Sequence, residues 1–377
     1  MDFGFTPEQQ EVQTLARQIL ADRVSAESLA AYDEYQAERF DSDLWRQLAE
    51  AGLTGVAIGE QYGGMGFGFT ELALFIEEVG RSIAPVPAIM HCVAAALPIQ
   101  QFGSEGMRAA FLPAAARGEL LLTAALTEAL NENPANPCNT LARVDGEDLL
   151  LSGRKFAVPF AHQAQRILLA ARTAQGVAVV LLDPQSRGVT LTPLESTTFE
   201  PQYQLDMESV KVPAADILCA SGGEAVMQWI SERTATALCA HQLGATDFAL
   251  RLAASYTSER EQFGVPVATF QAVGHRMADC YIDVECLRLC TYQAMSLLDS
   301  GSSATTEVQI AKIWAGDTGH RVSYATQHVH GGTGIDRDYP LWRYCLWMRH
   351  NEMSLGSSSM HTAQLGARLA AGQAQFS

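Results

Sequence analysis

Two stretches of this 377-residue chain carry residue types at spacings that could hold a phosphorylated, ring-bearing ligand. The first is Tyr256-Thr257-Ser258-Glu259-Arg260-Glu261-Gln262-Phe263-Gly264-Val265-Pro266, followed by Phe270-Gln271. Arg260 at a helix terminus offers a planar guanidinium fork to a pyrophosphate. Phe263 offers an apolar face to a ring such as adenine, and Gln271 can donate or accept at the edge of a ring or ribose. The plainer reading is a helix-end arginine and a buried phenylalanine. The second stretch is His328-Val329-His330-Gly331-Gly332-Thr333-Gly334, with Asp338-Tyr339-Pro340 behind it. Glycines let the backbone approach a ligand closely and offer amide donors to a phosphate. Two histidines invite a metal reading, but no third ligand accompanies them, and no metal site is expected.

The elements that must position these residues fall into three segments. Thr6-Pro7-Glu8-Gln9 combines an N-cap threonine, a proline at N1 and a glutamine at N3, the start of a helix. Apolar residues recur at three and four through 43–51 and 70–81, with a glycine-rich turn at 62–66 between them. A helical domain over 1–118 is expected. Short β-type runs follow at 121–126, 149–152, 166–171, 177–182 and 209–212, separated by turn dipeptides such as Asp145-Gly146 and Asp183-Pro184. They predict a central antiparallel β-domain over 119–222. Long helical segments at 226–258, 270–300, 306–328 and 341–374 predict a C-terminal four-helix bundle over 223–377. The fold class is α+β, multidomain.

Composition narrows the function classes. The formal charge of −17 argues against nucleic acid, whose phosphates need clustered Lys and Arg. The apolar stretch 83–97 is short and broken by Pro85 and Pro87, so no membrane span is expected. The N-terminal stretch has neither a basic region nor a long apolar one, which speaks against secretion and for a cytoplasmic protein. Eight cysteines are scattered without a C-x-x-C pair, as in a reduced protein. The H-E-x-x-H, G-x-G-x-x-G and G-x-x-x-x-G-K patterns are missing, leaving zinc-hydrolase, Rossmann and P-loop readings without a motif.

The 256–271 string resembles the signature of FAD-dependent acyl-CoA dehydrogenases, and the resemblance extends over nearly the whole chain. It implies that Arg260, Gln262, Phe263 and Gln271 contact FAD, and that His328, Gly331 and Gly332 meet the FAD of a neighbouring subunit. The family usually has Gln where this chain has His328. Leu126-Thr127-Glu128 is similar to the family's Thr-Glu-Pro stretch, which implies that Thr127 approaches the flavin. The Gly-Ser-Asp that usually follows is replaced by Asn133-Pro134-Ala135-Asn136-Pro137. Ala157 and Pro159 stand where an aromatic and a hydroxyl residue often cover the flavin.

The family's catalytic glutamate aligns with Leu355, which cannot take a proton. Some relatives place the base on an earlier helix, ten residues before a glycine that is here Gly244; that position is Thr234. Glu232 lies two residues earlier, rotated by about 200° on a helix. The catalytic base is therefore unassigned. The chain resembles the base-less subunit of bacterial α2β2 acyl-CoA dehydrogenases of the sterol side-chain type. That resemblance implies a homologous partner subunit, an acyl-CoA substrate and an electron-transfer flavoprotein. The competing readings are a homotetrameric dehydrogenase using Glu232, a non-catalytic scaffold, and a flavin monooxygenase on the same fold.

Overall fold

The computed structural model describes residues 4–34, 38–131 and 133–374. They form two compact units, one made of Met1–Ala30, Ala73–Ala84 and Ala235–Ser377, the other of Ala31–Leu72 and Pro85–Thr234. In chain order the first elements are helices α1 (Pro7–Arg23), α2 (Ala26–Ala30), α3 (Ser42–Glu50) and α4 (Phe69–Ser82). A π-helical turn (Ile89–Ala96), α5 (Leu97–Phe102) and α6 (Glu105–Ala116) follow. Strands are β1 (Leu122–Ala125), β2 (Thr140–Asp145), β3 (Asp148–Pro159), β4 (Arg166–Thr173), β5 (Gly176–Leu182), β6 (Val189–Leu194), β7 (Gln202–Val212) and β8 (Ile217–Cys219). Helix α7 (Gly223–Glu259), the two-residue strands β9 (Glu261–Gln262) and β10 (Val265–Pro266), α8 (Gln271–Asp299), α9 (Thr305–His330), α10 (Leu341–Met353) and α11 (Ser358–Ala370) complete the chain. Helices first, a sheet next and helices last is the expected order.

In the unit that holds the sheet, the strands run β6-β7-β3-β2-β4-β5-β8, with β1 paired to β4. Most pairs are antiparallel, as expected, but β1–β4 and β2–β4 are parallel. Leu151, Val158, Ile167, Leu169, Val180, Leu205 and Val210 form its buried face. The apolar stretch at 83–97 is not continuous α-helix. The π-turn closes with Leu97 N–H bonded to Cys92 O, five residues back. Pro98 follows immediately and has no N–H to continue an α-ladder. His91 in this turn accepts from Leu122 N–H through Nδ1 at 3.1 Å and donates from Nε2 to Ala115 O at 3.2 Å. Burial pushes its imidazole down to about 4, so it serves as a neutral link to β1.

The other unit is a helical assembly. The capping box at Thr6 is formed, with reciprocal bonds of 3.3 and 3.0 Å between Thr6 and Gln9. From Ala235 to Asp247 helix α7 is buried on every side, and its polar residues are bonded internally. Gln242 donates to Ala315 O of α9 at 3.0 Å and Met348 O of α10 at 3.2 Å, and accepts from Asn351 at 2.9 Å. Glycines permit the closest helix crossing. A Cβ on Gly80 would lie 2.1 Å from His241 O, and one on Gly244 would lie 1.9 Å from Glu77 O. Helices α4 and α7 therefore pack backbone against backbone. The segment expected as one helix over 341–374 is two, broken between Met353 and Ser358.

Candidate cofactor-facing site and the missing base

Helix α7 ends at Glu259, and residues 260–270 fold into a small hairpin. Gln262 pairs with Val265 and Glu261 with Pro266. The two turn residues, Phe263 and Gly264, both have positive φ, +55° and +80°, as a two-residue hairpin turn of the right twist requires. The turn pushes the Phe263 ring out at the hairpin tip, 94% exposed, edge-on to Phe270 at 6.3 Å. The plainer reading, a buried phenylalanine, is thereby excluded. Arg260 continues the helix ladder through its N–H to Tyr256 O at 2.8 Å, and its C=O accepts from Val267 N–H at 2.8 Å. The backbone is thus locked on both sides. Its guanidinium is exposed and makes no side-chain hydrogen bond or ion pair among the described residues. Gln262 is exposed beside it, and Gln271 opens α8 at an exposed N-terminus.

The second stretch lies at the end of α9 in the same unit. Gly331 has φ +60° and ψ −135°, a conformation that only glycine adopts readily. Nothing approaches within 4 Å of the Cβ positions of Gly331 and Gly332, so that side of both residues is uncovered, while the Gly331 N–H donates to His328 O. Gly334 is the opposite case: a Cβ there would lie 2.7 Å from Gln327 O. His328 is exposed and bonded to Arg276 of α8. His330, by contrast, is buried. Its Nδ1–H donates to Thr326 O at 2.7 Å, and its Nε2 lies 3.1 Å from the Tyr339 hydroxyl. Burial lowers its pKa, consistent with a neutral ring accepting from Tyr339. An uncommitted guanidinium, a bare aromatic face and a glycine backbone that a ligand can approach closely fit the diphosphate and ring of a dinucleotide.

Thr127 belongs to the other unit. It is exposed and holds Phe156 N–H through its carbonyl at 3.0 Å. The next residue carries a function that sequence reasoning missed. Glu128 is buried and accepts from Lys155 Nζ at 2.8 Å, Cys138 N–H at 2.7 Å, Asn139 N–H at 2.9 Å and Asn131 Nδ2 at 3.1 Å. It clamps the loop that replaces Gly-Ser-Asp. Burial alone would raise its pKa, but the Lys155 ammonium and the two backbone donors outweigh that and hold it well below the carboxylate range. A lysine at an inward strand position was the available signal. Ala157, where a flavin-covering aromatic is often found, sits at φ +49° in a register shift between β3 and β7.

The two positions that the resemblance aligns with a base are equally well defined. Leu355 lies between α10 and α11 at φ +53°, followed by Gly356 at +97°. Lys312 of α9, fully buried, donates to Asn351 O at 2.9 Å and Ser354 O at 2.7 Å. His361 Nε2 donates to Leu355 O at 3.0 Å, with burial pushing its imidazole down to about 4. Two donors from different helices therefore pin the carbonyls of this loop. Thr234 is buried, and its hydroxyl is occupied by Ile230 O at 2.8 Å. Glu232 is half-exposed on α7 and accepts from Gln228 at 2.8 Å.

Residues 6–119 match the acyl-CoA dehydrogenase N-terminal domain, and residues 221–370 match the acyl-CoA dehydrogenase C-terminal domain. The chain belongs to the acyl-CoA dehydrogenase family, FAD-dependent oxidoreductases. It is similar to the acyl-CoA dehydrogenase FadE27 of Mycobacterium tuberculosis, at 34% identity over 98% of this chain and 99% of that one. Among solved structures it is similar to a chain of the ChsE4-ChsE5 complex from Mycobacterium tuberculosis (34% identity, 98% and 99% covered, TM-score 0.92). It is also similar to a chain of a Tcur3481-Tcur3483 steroid ACAD variant (38% identity, 98% and 99% covered, TM-score 0.90). No helix among the described residues is long and apolar enough to cross a membrane.

Proposed function

We propose that this chain is the base-less subunit of a heteromeric acyl-CoA dehydrogenase that converts a bulky, steroid-type CoA thioester to its α,β-unsaturated form. The observation that carries this reading is an asymmetry between two sites. Arg260, Phe263, Gly331 and Gly332 present a dinucleotide-binding surface, whereas Leu355 and Thr234 leave both family base positions without a proton acceptor. The likeness to chains of the ChsE4-ChsE5 complex and of a steroid ACAD supports the heteromer and the substrate class.

When bound, FAD supplies a hydride acceptor for the β-carbon of the acyl group. Arg260 neutralises pyrophosphate charge from a fixed helix end. Gly331 and Gly332, having no side chains, would let the same ligand approach their backbone closely, and Phe263 would cover an apolar ring. The α-proton goes to a base on the partner subunit, and an electron-transfer flavoprotein takes the electrons. Glu232, held by Gln228 on an exposed helix face, has no part in proton transfer. Glu232→Gln in the co-purified complex is therefore expected to keep kcat within about twofold, since removing a general base costs on the order of 10²–10⁴. A hundredfold loss of kcat would place the base on this chain and overturn the proposal.

A further inference from the structure

Tyr256 and His330 belong to different helices, and each adjoins one half of the cofactor-facing surface. Tyr256 lies four residues, one helical turn, before Arg260 on α7, and its carbonyl accepts the Arg260 N–H at 2.8 Å. His330 is the last residue of α9, directly before Gly331. Their rings stack at 4.3 Å between centroids with 27° between planes. The Tyr256 hydroxyl reaches His330 O at 3.4 Å. Tyr339 closes the cluster, its ring 5.2 Å from His330 and 6.4 Å from Tyr256, with its hydroxyl on His330 Nε2. Both ring nitrogens of His330 are thus engaged, which fixes its tautomer and plane.

We infer that Tyr256, His330 and Tyr339 act as a clamp that holds Arg260 and the Gly331–Gly332 backbone in one fixed relation, so that a single diphosphate is gripped from both sides. None of the three need touch the cofactor; they are positioning residues, and the inference rests on the proposal that this surface binds FAD. The physical reason is that Gly331 has no side chain to anchor it and the Arg260 guanidinium has no partner among the described residues. Without the stack, each would sample positions independently, and the binding of one ligand would have to order both. The stack makes that ordering in advance.

The test uses the complex of this chain with its partner subunit, reading the Kd for FAD well below the melting temperature, together with the melting temperature itself. Arg260→Met is expected to weaken FAD roughly tenfold or more, as the loss of a charge-assisted contact. Tyr256→Leu, which keeps bulk and removes the stack, is expected to weaken FAD roughly tenfold. Tyr256→Phe, which keeps the ring, should restore most of the affinity. Tyr339→Phe, the mildest change and the fallback if Tyr256→Leu does not fold, should weaken FAD about threefold. In the Arg260→Met background the effect of Tyr256→Leu should shrink, because a clamp has less to position. A lowered melting temperature with an unchanged Kd in Tyr256→Leu and Tyr339→Phe would overturn the clamp and leave the proposed function standing. An unchanged Kd in Arg260→Met would overturn the reading of the surface itself.

Discussion

Leu355 occupies a backbone conformation that costs an L-residue about 1–2 kcal/mol, and Lys312 and His361 hold it there by its neighbours' and its own carbonyls. The loop is kept in shape by Lys312 and His361 through its carbonyls, without any contribution from a carboxylate at position 355. That strain is measurable by comparing two truncations. Leu355→Gly is expected to be more stable than Leu355→Ala by about 1 kcal/mol in urea unfolding, the reverse of their order at an ordinary position. Glu128 makes a second residue-scale case. Removing one partner of a buried ion pair leaves the other charge stranded, so Glu128→Gln should cost about 3 kcal/mol or more. Because the folded pKa of Glu128 lies below its unfolded value near 4.3, its contribution is complete above that pH. It is lost as pH falls towards the depressed folded value. The difference in unfolding free energy between wild type and Glu128→Gln should therefore be constant near neutral pH and narrow in acid.

At the scale of elements, the crossing of α4 and α7 depends on Gly80 and Gly244. A methyl at Gly244 would have to enter the Glu77 carbonyl and the Arg81 amide nitrogen, 1.9 and 2.5 Å away. Gly244→Ala should thus destabilise by about 3 kcal/mol or fail to fold, whereas alanine at exposed Gly366, with nothing near its Cβ position, should be tolerated. Thermal unfolding of the two variants checks the contrast. The long helices were legible because their apolar residues recur at helical spacing and their starts carry caps. The break after Met353 was not, because its cause is tertiary: Lys312, over 40 residues upstream, draws off the carbonyls that would continue the helix. Strand β6 escaped notice for another reason. It is an edge strand whose alternation, Val189-Thr190-Leu191-Thr192, is cut short by Pro193 and whose inward residues are only half-buried, so its pattern is short and weak. In the candidate site, residue types and spacing single out Arg260, Phe263 and the paired glycines as candidates. The Tyr256–His330 stack and the Glu128–Lys155 pair depend on contacts between distant segments, which no spacing reveals.

For the whole molecule, the proposed function sets a surface at Arg260 and Gly331 that could meet a dinucleotide against two positions, aligned with the family's bases, that hold Leu355 and Thr234. A chain that had lost its function outright would have no reason to keep an unpaired guanidinium and an exposed phenylalanine at a tight hairpin tip, since both carry solvation or conformational cost without internal return. Retention on one side and loss on the other is what division of labour between subunits produces. The most direct measurement is acyl-CoA-dependent bleaching of the flavin absorbance, made on the chain purified alone and on the chain co-purified with its partner subunit. A base-less subunit is expected to give no bleaching alone and full bleaching in the complex. Flavin bound and bleached by the lone chain would contradict the proposal.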